Sequence, residues 1–243
     1  MNLLLIDPAE LRSDGTCALS DRRAQHLRSV LGVEVGSTVR AGIVGGSLGS
    51  CEVLGVDGDI LLRFTATGVI SAPAAIDLVL AIPRPKVITR TIEIAASFAV
   101  RTIELTNAWR VDKSYLGSPR LADASLGHAL RFGAEQGATT HVPPLAIHDR
   151  FMGLLDTRWP ADGGGTPTTR LLAHPGAPPI EQATLSWPLA IAIGPEGGWI
   201  QREIDTFVER GFTPVSIGGP ILRVEAALSA TLGQLLVLQR LRG

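Results

Sequence analysis

Lysine is almost missing from this chain. Of 22 basic residues only Lys86 and Lys113 are lysines, and the rest are arginines. Against 23 acidic residues the formal net charge is −1. That balance argues against a surface built for extensive non-specific nucleic-acid binding, which is strongly basic, and leaves room for a local basic patch. Cysteine is also scarce. Cys17 and Cys51 stand far apart in sequence and fit neither a disulfide framework nor a zinc pattern, so a reducing cytoplasm is the natural setting. His, Asp and Glu show no metal-ligand spacing, and no metal is expected. Long hydrophobic runs are absent too: no stretch approaches the roughly twenty apolar residues that span a bilayer. The run Leu3–Ile6 meets Asp7 and has no basic flank, so it reads as a first strand rather than a signal peptide, and no membrane role is expected.

What is present is the profile of a globular chain, 45% hydrophobic and 19% charged over 243 residues, enough for one large or two modest domains. Residues 1–72 read as mostly β. Strands are expected at Leu3–Ile6, Thr38–Val44, Ser50–Val56 and Ile60–Phe64, with Asp57-Gly58 as a hairpin turn between the last two. One helix is expected from an N-cap at Ser20 through Leu31, ending at Gly32. From Pro73 to residue 243 strands and helices alternate. Strands are expected at Ile76–Ile82, Thr102–Leu105, Thr140–Val142, Arg170–Ala173, Leu189–Ile193 and Val215–Ile217. Helices are expected at Lys86–Val100, in a long stretch ending near Gln136, at Gln201–Arg210 and from Arg223 to Leu241. This alternation implies an α/β fold with a mostly parallel sheet and helices on both faces. Residues 160–169, rich in Gly, Pro and Thr, read as an exposed loop.

Two segments carry the chemistry. Ile191–Ile193 runs into Gly194-Pro195-Glu196-Gly197-Gly198-Trp199, and Ile217-Gly218-Gly219-Pro220-Ile221-Leu222-Arg223-Val224-Glu225 follows about twenty residues on. Each is a hydrophobic strand entering a glycine-containing loop and then a helix. Glycine lets the main chain approach a ligand and adopt positive φ. A ligand cavity is therefore expected beyond the carboxyl ends of the strands. One such loop alone reads equally well as an ordinary strand-to-helix turn; the second tips the balance.

The pair resembles the RsmE-type 16S rRNA uridine-N3 methyltransferases of the SPOUT superfamily. Two further segments are similar to that family: Leu171-Leu172-Ala173-His174-Pro175 resembles its first cofactor loop, and Ala134-Glu135-Gln136 its Ala-Glu-Gln helix end. The resemblance covers roughly residues 75–243. It implies a SPOUT domain over residues 73–243 with a C-terminal trefoil knot, preceded at 1–72 by a PUA-like RNA-binding β-barrel. It also implies a homodimer acting on 16S rRNA in the small ribosomal subunit, with S-adenosyl-L-methionine as methyl donor. The residues implied at the cofactor are Leu172, Ala173, His174, Gly194, Pro195, Glu196, Gly197, Gly198, Ile217, Gly218, Ile221 and Leu222. His174, a lone histidine in a turn before proline, has a plain structural reading beside that one.

Methylation at N3 of a uridine, position 1498 by resemblance, removes the proton of a weakly acidic imide and spreads negative charge onto its carbonyls. A fixed guanidinium stabilises such charge, which points to Arg223; its bland role is a salt bridge to Glu225 or Glu196. Glu196 is a second catalytic candidate, as base or as an orienting group. Arg22, Arg23, His26 and Arg28 on the first helix resemble the family's RNA-binding segment, although a charge cluster on a short helix is often just a solvated face.

The chain departs from the family pattern at Val224 and Ala226, where threonines are expected, at Glu93–Ala99, where polar residues are lost, and at Gly32 and Ser37. Two alternatives follow: a non-catalytic RNA-binding protein of ribosome assembly, or a SPOUT methyltransferase acting on a different RNA.

Overall fold

The computed structural model describes residues 2–242. Residues 2–72 and 131–142 form one compact unit, and residues 73–130 and 143–242 form a second.

The first unit holds β1 (Leu4–Ile6), β2 (Thr16–Leu19), α1 (Arg22–Ser29), β3 (Thr38–Ile43), β4 (Ser47–Gly55) and β5 (Ile60–Ile70). Its five strands lie in the order β1-β3-β4-β5-β2, with β1 and β3 parallel and the other pairs antiparallel. Alternate residues of these strands, among them Leu4, Ile6, Leu19, Val53, Ile60 and Leu62, pack with Leu27 into one core. Both cysteines belong to it as free thiols, and burial pushes that of Cys51 up to about 12. The Asp57-Gly58 hairpin forms as expected, with Gly58 at φ +76°. Helix α1 is capped by Asp21 rather than Ser20: the Asp21 carboxylate accepts the Arg23 N–H at 2.9 Å. Strand β2 was not expected, because Thr-Cys-Ala-Leu is too short to show a period; pairing with β5 makes it a strand.

The helix α3 (Asp123–Gly137) contributes its end to this unit, where Ala134 packs with Leu3 and Leu5. Thr140–Val142, expected as a strand, is an anchoring segment instead. Thr140 donates its N–H to Ser71 Oγ at 3.1 Å and its hydroxyl to the Gly46 carbonyl at 2.9 Å. The strand forms further on, after Pro143 and Pro144, which have no N–H to give a ladder.

The second unit is built on six strands: β6 (Ala74–Ala81), β7 (Val100–Thr106), β8 (Leu145–His148), β9 (Thr169–Ala173), β10 (Leu189–Ile193) and β11 (Phe212–Val215). Their order is β11-β9-β10-β6-β7-β8, and every pair is parallel. Every residue of β10 is buried, which is why its sequence is uninterrupted Leu-Ala-Ile-Ala-Ile. The helices are α2 (Pro85–Ser97), α4 (Phe151–Arg158), α5 (Gln201–Glu209) and α6 (Val224–Arg242). Pro85 opens α2 at its first turn, and Ala99 at φ +53° lies just past its end, short of the expected Val100. The last strand precedes the expected Val215–Ile217. Ser216 leaves the ladder to donate its N–H to the Pro178 carbonyl at 2.8 Å. Helix α4 was not expected, being eight residues long with only Leu154 and Leu155 fully buried.

Two polar arrangements in this unit could not be read from sequence. Asp77, wholly buried on β6, accepts Arg101 Nε and Nη2 at 2.7 and 2.6 Å and Arg158 at 3.2 Å. Arg158 also reaches Glu104 at 3.0 Å, and Glu104 meets His148 Nε2 at 2.7 Å. The loop at 160–169 is exposed over much of its length but tethered. The Arg170 guanidinium donates to the carbonyls of Gly164, Gly165, Pro167 and Arg210 at 2.6–3.0 Å. Burial lowers its pKa from the ordinary arginine value. Among the described residues no helix is long and apolar enough to cross a membrane.

Candidate functional site

Three loops leave the carboxyl ends of β9, β10 and β11 side by side, because those strands are neighbours in the sheet. Between them lies a cavity of about 400 Å³, within the usual range for small-molecule sites. Ala173, His174 and Pro175 line it from the first loop, Gly194 to Trp199 from the second, and Ile217, Gly218, Ile221 and Leu222 from the third. Val224 and Ala227 close it from the start of α6. Of the residues expected at a cofactor, Leu172 alone does not line the cavity. It is a fully buried β9 residue, paired with Ala192 and Pro214, so the cavity wall begins one residue later.

Two glycines of the second loop sit close to side chains, and a third has a backbone conformation that favours glycine. A Cβ at Gly194 would sit 3.1 Å from the Trp199 indole, and one at Gly197 would sit 3.0 Å from Arg110 Cδ. Gly198 adopts φ +71°, and its N–H closes a turn onto the Pro195 carbonyl at 2.8 Å. Side chains outside the loops hold their backbone. The Arg110 guanidinium donates to the Gly197 carbonyl. Gln234 of α6 donates to the Ile217 carbonyl at 2.7 Å. His174 donates its backbone N–H to the Val215 carbonyl at 2.9 Å, tying the first loop to the end of β11.

Polarity here is incomplete. Trp199 is 5% exposed, and its indole N–H has no acceptor. A buried unpaired donor costs on the order of 1–3 kcal/mol; this one is shielded behind the wall, and the indoles of Trp159 and Trp187, away from the cavity, are unpaired in the same way. Glu196, by contrast, is engaged: its carboxylate accepts the Arg84 N–H at 3.0 Å and lies 3.8 Å from Arg84 Nε. Arg223 is exposed beside the cavity, not on its wall. Among the described residues it forms no ion pair, neither with Glu225 nor with Glu196, so its guanidinium remains available. No group of three or more His, Cys, Asp or Glu side chains among the described residues is placed to hold a metal ion.

The four basic residues of α1 separate. Arg23 is buried, bonded to Glu10 and Asp21 and to the Leu5 carbonyl, and is a structural residue with no face left for phosphate. Arg22 pairs with Glu135 at 2.7 Å and lies 5.5 Å from the Phe132 ring centre. Arg28 is exposed and touches only the Val56 carbonyl at 3.4 Å; His26 is partly exposed. Sequence reasoning missed Arg84, Arg110 and Gln234. Arg110 follows the carboxyl end of β7, and position after a parallel strand was the available signal.

Residues 71–236 match the family model of the RNA methyltransferase domain. The chain is 28% identical over 240 residues to the ribosomal RNA small subunit methyltransferase E of Treponema pallidum, covering 95% of this chain and 88% of that one. It is 26% identical over 231 residues to the ribosomal RNA small subunit methyltransferase E 1 of Borreliella burgdorferi, covering 95% of each. Among solved structures, the small subunit methyltransferase E of Neisseria gonorrhoeae bound to S-adenosyl methionine is similar with a TM-score of 0.78, at 22% identity over 98% of both chains. A Legionella pneumophila methyltransferase in complex with the same cofactor gives a TM-score of 0.79, at 22% identity over 99% of this chain and 97% of that one. At these identities the structural likeness establishes the fold.

Proposed function

Because the chain belongs to the RNA methyltransferase domain family, as an RsmE-type member, we propose that it methylates N3 of a uridine in 16S rRNA of the small subunit, uridine 1498, using S-adenosyl-L-methionine. The observation that carries this reading is the cavity itself: three glycine-containing loops on adjacent strand ends, with Gly194 tight against the Trp199 indole and Gly198 and Gly218 at positive φ. These features fit a purine-bearing cofactor held largely through main chain. Ala173, His174, Gly194 to Gly198, Ile217, Gly218, Ile221 and Leu222 would hold it. When bound, S-adenosylmethionine supplies an electrophilic methyl group on a sulfonium.

The chain's own residues do the rest. Arg223, free of carboxylate partners, sets its guanidinium against the uracil carbonyls as N3 gives its proton to solvent water and charge builds on them. Glu196, fixed by Arg84, orients the second loop rather than acting as base. Residues 2–72 with 131–142 form a PUA-like RNA-binding unit in which exposed Arg28 and partly exposed His26 face phosphate, with Arg22, paired to Glu135, beside them. Exposed Ile221 and Leu222, with Val237 and Leu241 on α6, support a homodimer that covers them. The same reading includes a C-terminal trefoil knot, as the family resemblance implies; α6 returns across the sheet to pack on α2.

A second reading has its own observation. Val224 lines the cavity with an apolar wall where the family pattern has a hydroxyl, which favours a protein that binds RNA without turning over. One assay separates them: labelled S-adenosylmethionine, small subunits lacking the modification, and digestion to nucleosides. Our reading predicts 3-methyluridine. Cofactor binding without transfer, while a family enzyme is active on the same particles, would favour the second reading or another RNA target.

A further inference from the structure

Beside the cofactor cavity the second unit carries a second concavity, of about 840 Å³, that nothing above uses. Its most conspicuous wall is Trp109, an indole 79% exposed in a chain with 5% aromatic residues. The other indoles are 0% (Trp159) and 5% (Trp199) exposed or, at Trp187, half-buried. The exposed ring stands on a fixed backbone. The Trp109 N–H donates to Glu203 Oε1 at 2.8 Å, and the other oxygen of that buried carboxylate accepts the Ile200 N–H at 3.0 Å. Met152 adds a second exposed apolar side chain, and Phe151 forms part of the wall.

The groove carries exposed charged side chains. Lys113, Arg150 and Arg202 are exposed on it against Asp149 and Glu209. Arg210 is committed to Asp156 and the Trp159 carbonyl. Three exposed cations therefore stand around an exposed π-face, with the carboxylates of Asp149, Glu209 and the buried Glu203 beside them. The groove adjoins the cofactor cavity. Trp109 lines the groove and its chain neighbour Arg110 lines the cavity; Ile200 and Trp199 divide in the same way. Phe151 of the groove and Trp199 of the cavity have ring centres 6.0 Å apart.

Resting on the methyltransferase reading above, we propose that this groove is an RNA subsite in which Trp109 stacks on an unpaired nucleobase flanking the target, with Lys113, Arg150 and Arg202 on its phosphates. Aromatic stacking on single-stranded bases needs a ring of this exposure beside cations, and it is tolerant of base identity. The groove grips the strand next to the reacting uridine, so its contribution falls on RNA affinity more than on the chemical step.

The test uses the full chain and its Trp109→Leu and Trp109→Phe variants. A single-stranded oligouridylate should quench the tryptophan emission of the wild type, and Trp109→Leu should abolish most of that quenching. With small subunits as substrate, Trp109→Leu should raise KM about tenfold and lower kcat far less, while Trp109→Phe keeps most of the affinity. Thermal stabilisation by S-adenosylmethionine should be the same in all three proteins, which shows that the variants fold. Equal quenching in wild type and Trp109→Leu would overturn the proposal. So would a variant that loses affinity for the particle but not for naked RNA, which would mean a protein partner, or a variant with altered oligomeric state, which would mean a second copy of this chain. If the wild type transfers no methyl group at all, the methyltransferase reading fails, and the quenching experiment still decides the fate of the RNA subsite.

Discussion

Two polar regions of the second unit make an instructive contrast. Around Asp77 every charge is answered: two arginines reach its carboxylate, one of them continues to Glu104, and Glu104 closes on His148. At the strand ends charge is left open instead: Arg223, exposed beside the cavity, has no carboxylate partner among the described residues. Polar groups that are fully paired hold a scaffold together. Polar groups left open beside a cavity are what a ligand completes. The same difference separates Arg23, saturated on α1, from Arg223.

The contrast can be broken at its closed side. Asp77→Asn removes the charge that Arg101 and Arg158 share. Unpairing a buried charge costs roughly 3–5 kcal/mol, and the lower end applies because both arginines reach solvent. Urea unfolding should therefore show a loss of about 3 kcal/mol, with cofactor affinity of the folded protein unchanged. A stability close to wild type would mean that the cluster does not hold the sheet. On the open side, Arg223→Ala should lower kcat about a hundredfold, as loss of one preorganised charge-stabilising group does. Its dissociation constant for cofactor should stay within a factor of two (about 0.4 kcal/mol). Full activity in that variant would remove Arg223 from the mechanism.

A smaller effect sharpens the comparison within the first unit. Hydrogen bonds from Arg23, ahead of the opposing effect of burial, hold the Glu10 carboxyl below its ordinary value. A carboxylate with a depressed folded pKa contributes stability that is present above its unfolded value and lost as pH falls through the folded one. Glu135 works the other way: burial raises its pKa against the pull of Arg22, so its contribution is present in acid and fades as pH rises. Wild-type stability should fall as pH drops below the ordinary glutamate value of 4.5, and Glu10→Gln should flatten that slope. An unchanged slope would show that Glu10 does not carry it.

How much of this was legible depended on whether a feature is local. The β10 strand and its glycine loop are written in consecutive residues, apolar run then Gly-Pro-Glu-Gly-Gly, and the loop falls where that run places it. The Asp57-Gly58 turn is local in the same sense. The true place of β8 was hidden because Thr140 finds its partners, Gly46 and Ser71, far away in sequence. Arg23 looked like part of a basic helix face because nothing in its segment announces Glu10, thirteen residues earlier, as a carboxylate that would bury it. Arg110 was invisible for a related reason: its partner is the Gly197 carbonyl, a group every residue has. Strands and turns are properties of short stretches; which guanidinium is spent and which is free depends on the whole fold.

The most direct test of the central claim, that the loop-lined cavity at the strand ends is a cofactor site, is isothermal titration of S-adenosylmethionine into the wild-type protein and Gly194→Val. The claim predicts saturable binding to the wild type, and loss of most of that affinity in the variant, whose side chain must displace the Trp199 indole 3.1 Å away. No binding to a folded wild type, or equal binding to both proteins, would contradict it.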